Sequence, residues 1–267
     1  MLRSSLILSL LVLLLAVAPA AAENFRMETD VFVGNQKKPI CQTLTLFTET
    51  MVYDFIYGPG DAKAKDKDKD DQQITEVTVF DMSAGRVILL DMKLSKKTVL
   101  THEQLVQLTT SMKVNTTEKD AVYHFAAHPV FSVNFDEPTS LLTLTSPSLS
   151  YSVKTQKADN AAAAWRYQEF ADWSARLNAC RPGNLPPFAR MELGKAMADR
   201  SLLPEEITRT MVAPGRLGNK KVEMRSRHMV NWLLSSKDRS RIAAVAEQIG
   251  TYESVAFMAF VEPEKTR

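Results

Sequence analysis

The sequence predicts an α+β protein in which a curved, mainly antiparallel sheet of half-barrel form is covered by helices. Three observations carry this. Short β-branched and aromatic runs follow one another across turn residues rather than across helices. A few helices carry clear end signals. A composition of 45% apolar and 24% charged residues in 267 lies in the ordinary globular range and argues against a disordered or fibrous chain.

The first element is a targeting segment. Arg3 precedes an apolar run from Leu6 to Val17, and Ala20-Ala21-Ala22 fits the A-x-A cleavage pattern of a secretory signal peptide. Cleavage after Ala22 is expected, because this run is shorter than the ~18 apolar residues of a membrane span. No cysteine follows it for lipidation. The expected product is periplasmic or secreted, without a transmembrane segment. Arg3 is the one charged residue removed, so 32 basic residues face 31 acidic ones, which gives no global attraction to nucleic acid.

From Phe25 to Val33 polar and apolar residues alternate, as a half-buried strand requires. Gln42 to Phe47 and Met51 to Tyr57 read as a hairpin around Thr48-Glu49-Thr50. The stretch 58–73 alternates Lys with Asp and has no large apolar residue, so it reads as a disordered, solvated loop. Ile74 to Phe80 and Arg86 to Met92 form a second hairpin, with Gly85 free to take a positive φ at the turn. Lys96 to Leu100 adds a strand. Thr101 and Gln104 then make a capping box, with Leu100 and Leu105 as a hydrophobic staple, for a helix to about Lys113.

A helical stretch near Ala121 to Ala127 leads to strands Phe131 to Phe135, Leu141 to Thr145 and Leu149 to Val153. Asp159 caps a helix to Cys180, with Trp165, Phe170, Trp173 and Leu177 near one face. Pro186-Pro187 opens a helix over Phe188 to Arg200, and Pro204 closes the connection that follows. Lys221 to Trp232 is a strand with a charged outer face, Ser236 to Ile249 an amphipathic helix stopped by Gly250, and Tyr252 to Val261 fits helix or strand. A mainly β portion, 23–158, and a helical and β portion, 159–267, are expected to share one domain.

Cys41 and Cys180 are an even pair in a chain bound for an oxidising compartment. A disulfide between them would close a loop of about 139 residues (180 − 41) and stabilise by roughly 4–5 kcal/mol in the chain-entropy picture. Two separate buried thiols are the alternative.

Asp120, His124 and His128 stand four apart, a spacing that puts potential zinc ligands on one helix face, although Pro129 turns His128 away from helical geometry. His102-Glu103 begins a metalloprotease signature that fails at Val106. Asp66, Asp68 and Asp70 imitate an EF-hand loop, with Asp71 where the turn needs glycine. Nucleotide-binding loops and a nucleophile elbow are absent, and no cofactor is implied. From Arg216 to Arg241 eight basic residues face two acidic ones. Lys221, Arg225, Arg227, Arg239 and Arg241 are the core of this basic face, which reads as a partner surface or as charge that protects an edge strand.

The segments MVYDFIY, ITEVTVFD, GRVILLD and KKTVLTHEQL, between Met51 and Leu105, with NLPPFARMEL from Asn184, resemble an uncharacterised family of exported bacterial proteins. That resemblance brings no activity and no catalytic residues. A weaker similarity is to the lipoprotein-carrier (LolA-like) half-barrels, which implies a sheet that cradles acyl chains under helices. The function expected is that of a non-catalytic binding or cell-envelope-associated protein, with an apolar ligand or an envelope component as partner. The alternatives are an exported hydrolase or metal-dependent enzyme with a dispersed site drawn from His124, His128 and His228, and a structural interaction protein using the basic face.

Overall fold

The structure, a computed structural model, describes residues 24–58, 73–116, 120–215 and 218–262; the expected signal peptide and nearly all of the expected loop at 58–73 lie outside the described residues. The first meander runs β1 (Phe25–Val33), β2 (Cys41–Phe47), β3 (Met51–Tyr57), β4 (Ile74–Asp81), β5 (Arg86–Asp91) and β6 (Lys96–Thr101). Two helices, α1 (His102–Val114) and α2 (Ala121–Ala127), lead to β7 (Ser132–Asp136), β8 (Leu141–Thr145) and β9 (Leu149–Lys157). Helices α3 (Ala161–Ala179) and α4 (Phe188–Ala198) precede the long strands β10 (Leu202–Gly215) and β11 (Gly218–Asn231). The described chain ends with α5 (Ser236–Thr251), β12 (Glu253–Ser254) and α6 (Phe257–Val261).

All twelve strands join one open, curved sheet in the order β12-β6-β5-β4-β3-β2-β1-β11-β10-β9-β8-β7. Every pairing is antiparallel except the two-residue contact of β12 with β6. The two meanders meet at β1 and β11, in register from Arg26 opposite Asn231 to Val33 opposite Met224. The expected α+β class with a curved antiparallel sheet is therefore the observed one.

Both faces of the first meander are covered. Phe25, Phe47, Phe80 and Val87 point to one face and pack under α1 to α4, while Leu44, Phe55, Val79 and Leu90 point to the other and pack with Val245 of α5. This explains the unbroken apolar run Val87-Ile88-Leu89-Leu90, since a strand buried on both sides has no polar face to alternate with. Phe25 stacks on Phe47 with centroids 4.0 Å apart, and Phe170 of α3 meets Phe47 edge-on at 5.4 Å.

Local signals act where the chain carries them. Thr101 and Gln104 close the capping box of α1 at 3.1 and 2.8 Å. Ser235 and Asp238 do the same for α5, and Asp238, with no exposure, also receives Arg26 of β1 at 3.0 Å. Gly85 takes φ +61° at the β4–β5 turn, where the Asp81 carboxylate accepts from Ser83 Oγ and the Ala84 N–H.

The structure departs from the sequence reading in several places. Pro204 does not close a connection but lies inside a 14-residue strand, β10, at a register shift of its pairing with β9. Asn160 rather than Asp159 caps α3, its Oδ1 accepting from Ala163 N at 2.8 Å. Helix α5 continues through Gly250. Trp165 is 52% exposed, away from the stripe that buries Phe170 and Leu177.

The expected disulfide is not present, and Cys41 and Cys180 are separate free thiols. Cys41 opens β2 opposite Val31, whereas Cys180 ends α3 with its thiol bonded to the Arg176 carbonyl at 3.3 Å. Burial raises both thiol pKa values above the ordinary, and the Asp54 and Glu76 charges add to the rise at Cys41.

The packing gives a test. Phe47→Ala removes a fully buried ring from between Phe25 and Phe170, so chemical denaturation is expected to show a loss of about 3–5 kcal/mol. Trp165→Ala on the exposed side of α3 is expected to stay within about 0.5 kcal/mol of the wild type.

Candidate functional site

Antiparallel register lines up side chains from neighbouring strands on one face. On the face under α3 and α4 it aligns His228 of β11, Thr29 of β1 and Thr43 of β2 across adjoining strands. One pair further along, it sets Thr45 of β2 opposite Asp54 of β3. These are polar residues at positions where the same strands elsewhere carry Phe25, Met27, Phe47 and Val52. They bond to one another. Ser226 Oγ lies 2.8 Å from His228 Nε2, Thr29 Oγ1 lies 3.1 Å from His228 Nδ1, and Thr45 Oγ1 donates to Asp54 Oδ1 at 2.8 Å.

Burial dominates the electrostatics of this strip. It pushes the Asp54 carboxyl up to about 6, although the Thr45 and Thr43 hydroxyls hold part of the rise back. Burial also pushes the His228 imidazole down to about 3, assisted by the positive charge of Arg190. Arg190 extends from α4, with Nη2 donating to Tyr167 Oη of α3 at 3.1 Å.

The same residues nevertheless retain contact with solvent. Phe25 and Phe47 are fully buried under the helices, yet Thr29, Val31, Cys41, Thr43, Asp54 and Ile56 on the same face are only half-buried. These strands lie in the middle of the sheet, and the half-buried residues cluster toward one end of them, Val31 near the end of β1, Cys41 at the start of β2 and Ile56 near the end of β3. The helices thus cover this part of the face incompletely. We describe this part of the face as a hollow, with Thr29, Thr43, Asp54 and His228 as its polar floor and Val31 and Ile56 as its apolar wall.

Ser226 and His228 stand at a nucleophile–base distance, but an imidazole with a pKa of about 3 is too weak a base to activate a hydroxyl near neutral pH. The other ring nitrogen meets the Thr29 hydroxyl where a catalytic triad would place a carboxylate. The Ser226–His228 pair therefore offers hydrogen bonds rather than an activated nucleophile.

The metal candidates are engaged elsewhere. Asp120 caps α2 by accepting from the Val122 and Tyr123 N–H groups, and His128 Nε2 lies 3.1 Å from the Lys113 carbonyl. The His124 and His128 rings are 5.3 Å apart. Among the described residues no group of three or more His, Cys, Asp or Glu side chains is placed to hold a metal ion.

The basic face divides between two elements, with Lys221, Arg225 and Arg227 on β11 and Arg239 and Arg241 on α5. Several of its charges meet acids, but the acids are fewer than the bases. Arg225 and Arg227 flank Glu206 and lie over the Phe32 ring, Lys221 meets Glu223, and Arg241 meets Asp238. Two open clefts occur at the surface. One of about 460 Å³ lies between Asp120, Tyr123 and the Cys180–Leu185 turn, and one of about 500 Å³ lies by Glu205, Arg227 and His228.

Of the residues that form the hollow, sequence reasoning singled out His228 and Cys41 only, and for other roles. A signal for the rest was present, because Asp54 interrupts the apolar run MVYDFIY and Thr43 and Thr45 alternate with Leu44 and Leu46. No protein-family model matches the chain, and no curated protein matches it.

Two opposite pH effects are expected. Asp54 has its pKa raised from 3.8 to about 6, so the folded state loses stability as pH rises through that interval. Asp54→Asn should then melt higher than the wild type at about pH 7.5, by roughly 2–4 °C per kcal/mol recovered, and the gain should vanish near pH 4. His228 has its pKa lowered from 6.5 to about 3, so stability is full above 6.5 and falls as pH drops toward 3. His228→Gln should flatten that acid limb. Melting curves of the three proteins across this range check both signs, and identical pH profiles would contradict the assignment.

Proposed function

We propose that the protein is an exported, non-catalytic binding protein of the cell envelope, holding an amphipathic ligand in the hollow between the sheet and helices α3 and α4. The observation that supports this reading is the row of half-buried polar and apolar residues on the central strands, from Thr29 and Val31 to Asp54 and Ile56, on the face that α3 and α4 cover only in part. A recess with apolar walls and a few placed polar groups is the usual form of a small-ligand site. The suppressed basicity of His228 favours binding over hydrolysis. Arg225, Arg227 and Arg241 each already contact a carboxylate of the protein, Glu206 or Asp238, which leaves them less available to a partner. Export rests on the signal peptide read in residues 1–22, and the likeness to exported and lipoprotein-carrier proteins points the same way.

Native mass spectrometry of the protein purified from its own host tests the reading. The expected result is a non-covalent adduct on the wild type that is absent from Thr43→Phe, a variant whose larger side chain fills the hollow while the fold is retained. An adduct of equal abundance on both would contradict the location, and a bare wild-type chain that also ignores added alkyl amphiphiles would contradict the function.

A further inference from the structure

We propose that Arg190 and Arg209 receive the oxyanion head, a carboxylate or phosphate, of the ligand held in the hollow. This deepens the binding reading and rests on it. Both guanidinium groups serve the same region of the sheet. Arg190 descends from α4, and its charge acts on His228 of β11 and Tyr151 of β9. Arg209 stands on β10 opposite Tyr151 on one side and Met224 on the other, and its Nη2 lies 2.7 Å from the Met224 sulfur.

Neither arginine makes an ion pair among the described residues, although most other part-buried arginines here do. Arg190 Nη1 and Arg209 Nε are closed off from solvent and have no hydrogen-bond partner. A buried donor on a cation is costly to leave unmade, and a guanidinium fork matches a carboxylate or phosphate with two parallel bonds.

The protein's own acid nearby does not fill this role. Asp172 of α3 faces Arg190 across Gly194, where a Cβ would stand 3.1 Å from Asp172 Oδ1 and 3.7 Å from Arg190 Nη1. Asp172 Oδ1 is also without a partner, as is the nearby Gln168 Oε1. Glycine at 194 thus lets both side chains pack closely against the α4 backbone, and the two form no ion pair with each other. Burial holds the Asp172 carboxyl up at about 6, with Arg190 and Arg176 opposing the rise and Glu192 adding to it. The two guanidinium groups also bond buried tyrosines, Arg190 to Tyr167 and Arg209 to Tyr151, which fixes their orientation.

Calorimetric titration of the full mature chain with dodecanoate, dodecyl phosphate, 1-dodecanol and acetate separates the contributions of head and chain. The wild type is expected to bind the two anionic amphiphiles at least about tenfold more tightly than dodecanol, and acetate not measurably. Arg190→Gln should bring the anionic amphiphiles to the level of dodecanol and leave dodecanol unchanged. Arg190→Lys should retain part of the preference, and Arg209→Gln supplies a second reading should Arg190→Gln fail to fold.

Equal affinities for dodecanoate and dodecanol, untouched by any of these variants, would overturn the oxyanion receptor while leaving the hollow as a binding site. Acetate binding as tightly as dodecanoate would overturn it in favour of a receptor for small free anions. Failure of every alkyl compound to bind would overturn this inference together with the proposed function.

Discussion

The pairing of β1 with β11 is the constraint on which the rest of the molecule depends. Each meander is built from local hairpins, but this one seam joins strands about 200 residues apart, from Arg26 opposite Asn231 to Val33 opposite Met224. Closing so long a loop carries an entropic cost that short hairpins avoid. The seam is correspondingly reinforced. Trp232 packs on Phe25 with ring centroids 5.4 Å apart, Thr29 bonds His228, and Arg26 reaches across to Asp238 at the start of α5. A slip of one residue would turn every inward side chain of β11 outward, taking Ser226 and His228 off the floor and exposing Val230 instead. The register that makes the sheet continuous is the same register that assembles the polar strip.

The two faces of the sheet are packed by different helices. The first meander is packed on both sides, with α1 to α4 on one and α5 on the other, and β5 accordingly carries an unbroken apolar run. The strip from His228 to Asp54 is the exception. Its groups are polar and desolvated, so it lowers stability compared with an apolar floor, and its hydroxyl and imidazole partners recover only part of that loss. Such a local conflict between fold and side chain is what a binding surface produces. The unpartnered atoms around Gly194, on Gln168, Asp172, Arg190 and Arg209, extend the conflict from the floor to the covering helices.

Much of the fold was legible in the residues. Alternation placed β1, the β-branched runs placed β2 to β6, and the Thr101–Gln104 box placed the start of α1, because these signals depend on neighbours in sequence. What escaped was β10. Its inward positions hold Ile207, Arg209 and Met211, and an arginine facing the core breaks the pattern that announces a strand. The register shift at Pro204 obscures it further. The strip was illegible for a related reason. Thr29, Thr43 and Asp54 look like ordinary strand residues until pairing sets them side by side, and pairing over such distances has no local signature. The cysteines erred in the other direction, since compartment and even count suggested a bond that their places on β2 and α3 do not make.

A sheet seam that lines up a polar floor beneath helices, and leaves part of it uncovered, is the core of this account. A crystal structure of the protein purified from its own host, without removal of bound molecules, tests it most directly. The account predicts an elongated density over Val31, Thr43 and Ile56 whose polar end meets Arg190. Helices closed down on those residues, with the half-exposed floor fully packed and no room for a ligand, would contradict it.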